Sequence, residues 1–202
     1  MAGRPEAGPW ILVLAAGASS RMAPRDKLLQ PVDGVPLLKD RALAAIATGA
    51  PVAVALPLDR PERNAALAVL PVLPITVRDA ARGMGRSIAA GARALRGAAG
   101  LMVVPGDAPD LTADHMRLLL EAGRADPHGI HQGASAGRFG HPVLFPADLL
   151  DELEALDGDE GGRSILRRHA GRVRLHELPG GAATTDLDTP EDWLRWRART
   201  GR

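Results

Sequence analysis

The 202-residue sequence has no cysteine and no tyrosine, and aromatic residues make up only 2% of it. Without cysteine, disulfides, thiolate nucleophiles and thiolate-bound zinc are excluded. So few aromatic rings leave no stacking platform for single-stranded nucleic acid. Charge of either sign is not in surplus: 25 Lys and Arg face 24 Asp and Glu, for a net charge of +1. No global field therefore draws the protein to nucleic acid or to a membrane surface. Long apolar runs are missing as well, and Met1–Glu6 lacks the apolar core of a signal peptide. The expectation is a soluble cytoplasmic protein with no nucleic-acid or membrane partner. It comprises a loose tail at 1–9 and one domain at 10–200, long enough for a sizeable core.

What is present is organised around one stretch. The apolar run Trp10–Leu14 ends abruptly in Ala15-Ala16-Gly17-Ala18-Ser19-Ser20, and two cations follow, Arg21 and Lys27. The run reads as a buried strand and the small residues as the turn that ends it. Small side chains let backbone N–H groups face outward, and such a nest beside fixed cations suits a polyphosphate. The loop is neither a Walker A motif nor a dinucleotide fingerprint, since neither glycine spacing occurs. An ordinary strand-to-helix turn with a solvated Arg and Lys is the plain alternative.

Downstream, apolar runs alternate with helical patterns. Strands are expected at Val52–Leu56, Ile75–Val77 and Leu101–Val104. Helices are expected after Pro36 and Pro61, at Ser87–Leu95, and after a cap at Asp110 or Thr112. The interval 130–145 breaks the alternation: two strands, Ile130–Gln132 and Phe139–Phe145, flank a Gly133–Gly137 turn, pointing to an insertion or an antiparallel strand. Helices at about 146–156 and 161–169, a strand at Val173–Leu178 and a helix from Pro190 to Arg199 complete the chain. Alternation of this kind gives a Rossmann-like α/β fold in three layers, α/β/α, with a mostly parallel sheet. Ligands of such sheets bind at the carboxyl ends of the strands. Ala15–Lys27, Asp79–Ser87 and Pro105–Asp110 would then line one crevice.

Each of these loops carries chemistry. Asp107, just past an apolar strand, can present hard oxygen to Mg²⁺ or cap the next helix. In Thr185–Asp192 a helix start explains Thr189, Pro190, Glu191 and Asp192, and leaves Asp186 and Asp188 unexplained. Gly83 and Gly85 allow close backbone approach, and Ser87 can donate to a ligand or cap a helix. His141 is either a ligand contact or a strand-end histidine with an ordinary hydrogen bond. His115, His128, His131, His169 and His176 lack metal-ligand spacing and read as surface or packing residues.

The order of the motifs Leu14-Ala15-Ala16-Gly17-x-Ser19-x-Arg21-Met22 with Lys27-Leu28-Leu29, Gly83-Met84-x-x-Ser87, Gly106-Asp107-x-Pro109, Gly140-His141-Pro142-x-Leu144-Phe145 and Asp186-Leu187-Asp188-Thr189-Pro190-Glu191-Asp192 resembles the MobA-like nucleotidyltransferases. It is most similar to their molybdenum cofactor cytidylyltransferase (MocA-like) branch. The resemblance runs from Leu12 to Trp193, departing where Met22 is followed by Ala23-Pro24 instead of Gly. It implies the nucleotide-diphospho-sugar transferase fold and transfer of a nucleoside monophosphate to a phosphorylated acceptor with release of pyrophosphate. It implies that Lys27, Arg21 and Asp107 are catalytic, and that Leu14, Ala15, Ala16, Gly17, Ser19, Gly83, Met84 and Ser87 join Arg21 and Lys27 in binding the nucleotide. Asp107 and Asp188 would hold Mg²⁺, with Asp186 as second choice, and Gly140, His141, Pro142 and Asp159 would face the acceptor. Ala15-Ala16-Gly17 favours CTP, and the fitting acceptor is molybdopterin bearing molybdenum, with a molybdoenzyme apoprotein as an implied partner. The alternatives are GTP, another phosphorylated acceptor, or a non-catalytic carrier or chaperone of the molybdenum cofactor.

Overall fold

The computed structural model describes residues 8–202, so the expected tail lies outside the described residues apart from Gly8 and Pro9. A seven-stranded sheet forms the centre. Its first strand, β1 (Trp10–Leu14), lies where the apolar run predicts it. A short hairpin, β2 (Pro31–Val32) and β3 (Val35–Pro36), turns at Asp33-Gly34 and leads into α1 (Leu37–Ile46). Then come β4 (Val52–Pro57), α2 (Pro61–Ala66), β5 (Leu73–Val77), α3 (Met84–Ala94), β6 (Gly100–Pro105) and α4 (Ala113–Ala125). The second half holds β7 (Ile130–Ser135), β8 (Arg138–Pro146), α5 (Leu150–Glu154), α6 (Arg163–Arg168), β9 (Val173–Glu177) and α7 (Pro190–Thr200).

The sheet order is β5-β4-β1-β6-β8-β7-β9, and only β8 runs against its neighbours. The interval at 130–145 is thus an antiparallel strand within the sheet, not an insertion outside it. Both faces are covered, which is why the inner strands read as unbroken apolar runs. Side chains alternate between two cores. Ile11, Val13, Val54, Met102 and Val104 pack with α1, α4 and α7 on one face. Leu12, Ala53, Ala55, Leu101 and Val103 pack with α3 and α5 on the other. This is the three-layer α/β/α arrangement expected from the sequence.

Several boundaries differ from expectation for local reasons. The helix expected at Ser87 begins three residues earlier, at Met84, because Gly83 takes a φ of 111° that ends the preceding turn. Ser87 therefore lies in the first turn and does not cap the helix. Between the two candidate caps, Thr112 accepts from the His115 N–H, while Asp110 accepts from the Trp196 indole and ties α7 down. The chain runs outward from β1 to β4 and β5, then returns to β6 on the other side of β1. The crevice at the carboxyl ends of β1 and β6 is the topological switch point.

Candidate active site

At that switch point the Gly106 N–H donates to Leu14 O at 2.9 Å, locking the ends of β1 and β6 together. The loops that follow them face a cleft of about 1180 Å³. Residues 183–188 cross the cleft as a strap: His141 N–H donates to Ala183 O and Leu187 N–H to Asp107 O. That strap brings Asp188 to Asp107. Lys27 completes the group, its Nζ donating to Asp107 Oδ2 at 2.5 Å and to Asp188 Oδ1 at 2.7 Å. Arg21 reaches the other oxygen of Asp188 at 2.8 Å from an exposed position.

The electrostatics follow from this packing. Burial pushes the Lys27 pKa down, but the carboxylates of Asp107 and Asp188 outweigh it, so the ammonium is held above its usual range. Burial likewise pushes Asp188 up, and the hydrogen bond and charge of Lys27, with Arg21, bring it below its usual value. Asp186 has no such cation among the described residues. Burial first, then the charges of Asp188 and Asp107, raise its pKa. A hard, oxygen-seeking divalent cation fits here, because two carboxylates already converge on a single positive nitrogen. Mg²⁺ commonly takes one or two carboxylates and completes its shell with phosphate oxygens and water.

The loop after β1 is arranged with its carbonyls turned inward. Ala15 O and Gly17 O accept from Arg63, and Ala18 O accepts from Arg60. The backbone N–H groups of Ala16, Gly17, Ala18 and Ser19 find no acceptor among the described residues. A Cβ at Gly17 would meet nothing within 4 Å, so protein packing does not require glycine there. Despite Ala23-Pro24, which takes a cis peptide bond, the chain turns and delivers Lys27 to the carboxylates. Asp26 opens a short 3₁₀ turn at Lys27–Leu29 by accepting from the Leu28 N–H.

The other expected site residues are distributed around the same cleft. Leu14, Ala16, Gly17, Ser19, Gly83, Met84, Ser87, Gly140, His141 and Asp159 all line it; Ala15 and Pro142 do not. Ala15 is buried beneath the loop. Asp159 sits against Gly83, where an added Cβ would come within 2.3 Å of its Oδ1, so the structure brings it to the Gly83 loop. Gly140 is required for packing: a Cβ there would overlap Ala183 O. His141 Nδ1 is buried without a hydrogen-bond partner among the described residues, and burial lowers the imidazole pKa to about 4, leaving it neutral. Among the cleft residues unrecognised in the sequence are Arg138 and Arg163, which line it without a carboxylate partner among the described residues. Arg63 was missed as well. Its sequence signal is its spacing of four and seven residues before Leu67 and Leu70, both of which the structure puts past the end of α2 at Ala66.

A loop of unclaimed amides at a switch point, beside a lysine and a carboxylate pair, is the arrangement expected of an α/β nucleotidyltransferase. The chain belongs to the MobA-like NTP transferase domain family, which matches residues 11–173. It is 28% identical over 193 residues to the nicotine blue oxidoreductase of Paenarthrobacter nicotinovorans, covering 91% of this chain and 94% of that one. To the purine catabolism protein PucB of Bacillus subtilis it is 29% identical over 119 residues, 57% of either chain, so the match spans just over half of that relative. Among solved structures, Rv0371c of Mycobacterium tuberculosis is 28% identical and superposes with a TM-score of 0.82 over 93% of this chain and 96% of that one. The same protein has been solved in complex with manganese, at 27% identity and a TM-score of 0.77 over 93% and 97% of the two chains.

Proposed function

We propose that this member of a nucleotidyltransferase family transfers CMP from CTP to the terminal phosphate of molybdenum-bearing molybdopterin and releases pyrophosphate. The observation that carries the reading is Lys27 held between Asp107 and Asp188 beside a loop whose amides are unclaimed. An acceptor phosphate oxygen attacks the α-phosphorus, the bond to the bridging oxygen of the β-phosphate breaks, and pyrophosphate leaves. The attacking oxygen is already anionic, so positioning and charge neutralisation suffice without a strong base. Lys27 stays cationic, and Arg21 lies at the mouth where a phosphate chain would enter. Asp107 and Asp188 would hold Mg²⁺, which supplies neutralisation of the triphosphate and of departing pyrophosphate. The loop amides, that of Ser19 included, bind phosphate, while the Ser19 hydroxyl stays engaged with Asp26 and Arg63 and Gly83, Met84 and Ser87 border the nucleoside.

Neutral His141, Val143 and Phe145 line the same cleft as Arg138 and Arg163, which have no carboxylate partner among the described residues. Cations together with apolar lining suit a ring-bearing phosphoester, which supports the molybdopterin acceptor. Ala15-Ala16-Gly17 supports CTP over GTP. The name of one relative favours a redox reading; against it, the loop carries no dinucleotide fingerprint.

The experiment is pyrophosphate release by the purified protein with Mg²⁺ and molybdenum-bearing molybdopterin, offered CTP, GTP or ATP. Release with CTP alone supports the proposal. Release with GTP alone keeps the reaction and overturns the base. No release with any nucleotide, together with oxidation of a nicotinamide dinucleotide, overturns the reading in favour of the redox one.

A further inference from the structure

The Arg63 guanidinium is fully buried, at 0% exposure, and all five of its N–H groups are used. Nε donates to Asp26 Oδ2 at 2.7 Å; Nη1 donates to Ala15 O at 2.6 Å and Gly17 O at 2.8 Å; Nη2 donates to Ser19 Oγ at 3.0 Å and Asp26 Oδ1 at 2.9 Å. One side chain from α2 thus grips the start, middle and end of the stretch from Ala15 to Asp26. We infer that Arg63 is the positioning residue of the nucleotide loop, holding its carbonyls inward so that its amides are left for phosphate. The inference rests on the nucleotidyl-transfer reading for the identity of the anion.

Three features favour this role over packing alone. A loop of Ala, Gly and Ser has little side-chain structure of its own, and its carbonyls would otherwise rotate freely. Every carbonyl that Arg63 takes belongs to a peptide unit bordering the unclaimed amides of Ala16–Ser19. The Asp26 carboxylate that balances its charge also accepts from Leu28 N–H, in the turn that carries Lys27. The pair is neutral overall, so Arg63 contributes geometry and leaves the anion's charge to Lys27 and Arg21. Lysine cannot replace it, having three donors on a compact head where five diverging ones are needed.

Arg63→Lys tests the assignment with two readouts on the full chain. The first is binding of inorganic tripolyphosphate and of CTP, by calorimetry. The second is the amide resonances of Ala16–Ser19 without ligand, which report loop geometry whether or not a nucleotide binds. The expected result is affinity lowered on the order of ten-fold for both ligands, since preorganisation is lost, together with shifted loop amides in a protein that still unfolds cooperatively. Unchanged affinity with unchanged amide resonances overturns the inference. If wild type binds neither ligand, the functional reading fails, and the loop amides alone then decide the role of Arg63. Should Arg63→Lys fail to fold, Asp26→Asn, which keeps the side-chain shape and weakens the grip, is measured the same way. It is expected to shift the same amides and to weaken both ligands, and unchanged amides in that variant overturn the inference.

Discussion

Lys27, Asp107 and Asp188 come from positions far apart in the chain and share one nitrogen. Removing either side of such a contact costs more in function than in folding, because each residue sits at the rim of the core and not within it. Asp107→Ala is expected to lower turnover by at least about 100-fold, the scale for loss of one preorganised electrostatic group, with an unchanged unfolding midpoint. Lys27→Ala is expected to cost at least about ten-fold on the same scale. Both are read as steady-state pyrophosphate release beside thermal melts, and near-normal turnover in Asp107→Ala would remove it from the metal site. Asp26 offers a different test. Burial raises its pKa, but the hydrogen bonds and charge of Arg63 outweigh burial and hold it below the usual value. A depressed carboxylate stabilises the fold above its unfolded pKa and loses that contribution as pH falls through the folded pKa. The stability gap between wild type and Asp26→Asn should therefore be full above about pH 4 and shrink below it, as measured by urea unfolding across pH. A gap independent of pH would show that the ion pair contributes nothing.

Among the elements, long periodic segments were legible and close contacts were not. β1, β4 and β6 announce themselves because burial on both faces demands unbroken apolar runs. The start of α3 was misplaced because the signal is a backbone angle at Gly83, and the apolar pattern begins only at Ile88. In the site, Asp107 stood out as an aspartate just past a buried strand and Lys27 as a cation after the small-residue loop, and the family resemblance tied the two together. Arg63 did not stand out, since an arginine on an apolar helical face reads as an exception until its partners across the chain are known. Gly83 also seats the turn at Asp157–Asp159. A Cβ there would lie 2.5 Å from Gly158 C and 2.3 Å from Asp159 Oδ1, at a φ of 111°. Gly83→Ala is expected to cost about 1–3 kcal/mol, the range for a strained backbone conformation, and to weaken nucleotide binding as the turn lifts. Urea titration with and without CTP measures both; an unaffected midpoint would mean the turn accommodates the methyl.

For the whole molecule, the cleft joins the sheet to one helical layer: β1, β6 and β8 line it from the sheet, α3 and α6 from the helices, and the strap at 183–188 crosses it. A ligand that fills it binds the folded state alone and should stabilise the domain as one unit. At a concentration 100 times its dissociation constant the gain is about 2.7 kcal/mol, visible as a single melting transition moved upward by CTP with Mg²⁺. A transition that splits, or does not move, would argue against a site shared by both halves of the sheet.

The reversal of β8 has a consequence for how such a protein can change. Because β8 runs against β6, its beginning, Arg138–His141, meets the end of β6 at the same edge of the sheet. The hairpin tip at Ala136-Gly137 stands just before it, outside every hydrogen bond that shapes the nucleotide loop. Under the proposed function, donor and acceptor recognition would be written in separate stretches of chain that meet at the central carboxylates. On that reading one half could be exchanged while the other is inherited intact, and changes confined to a hairpin would suffice to move the scaffold from one acceptor to another.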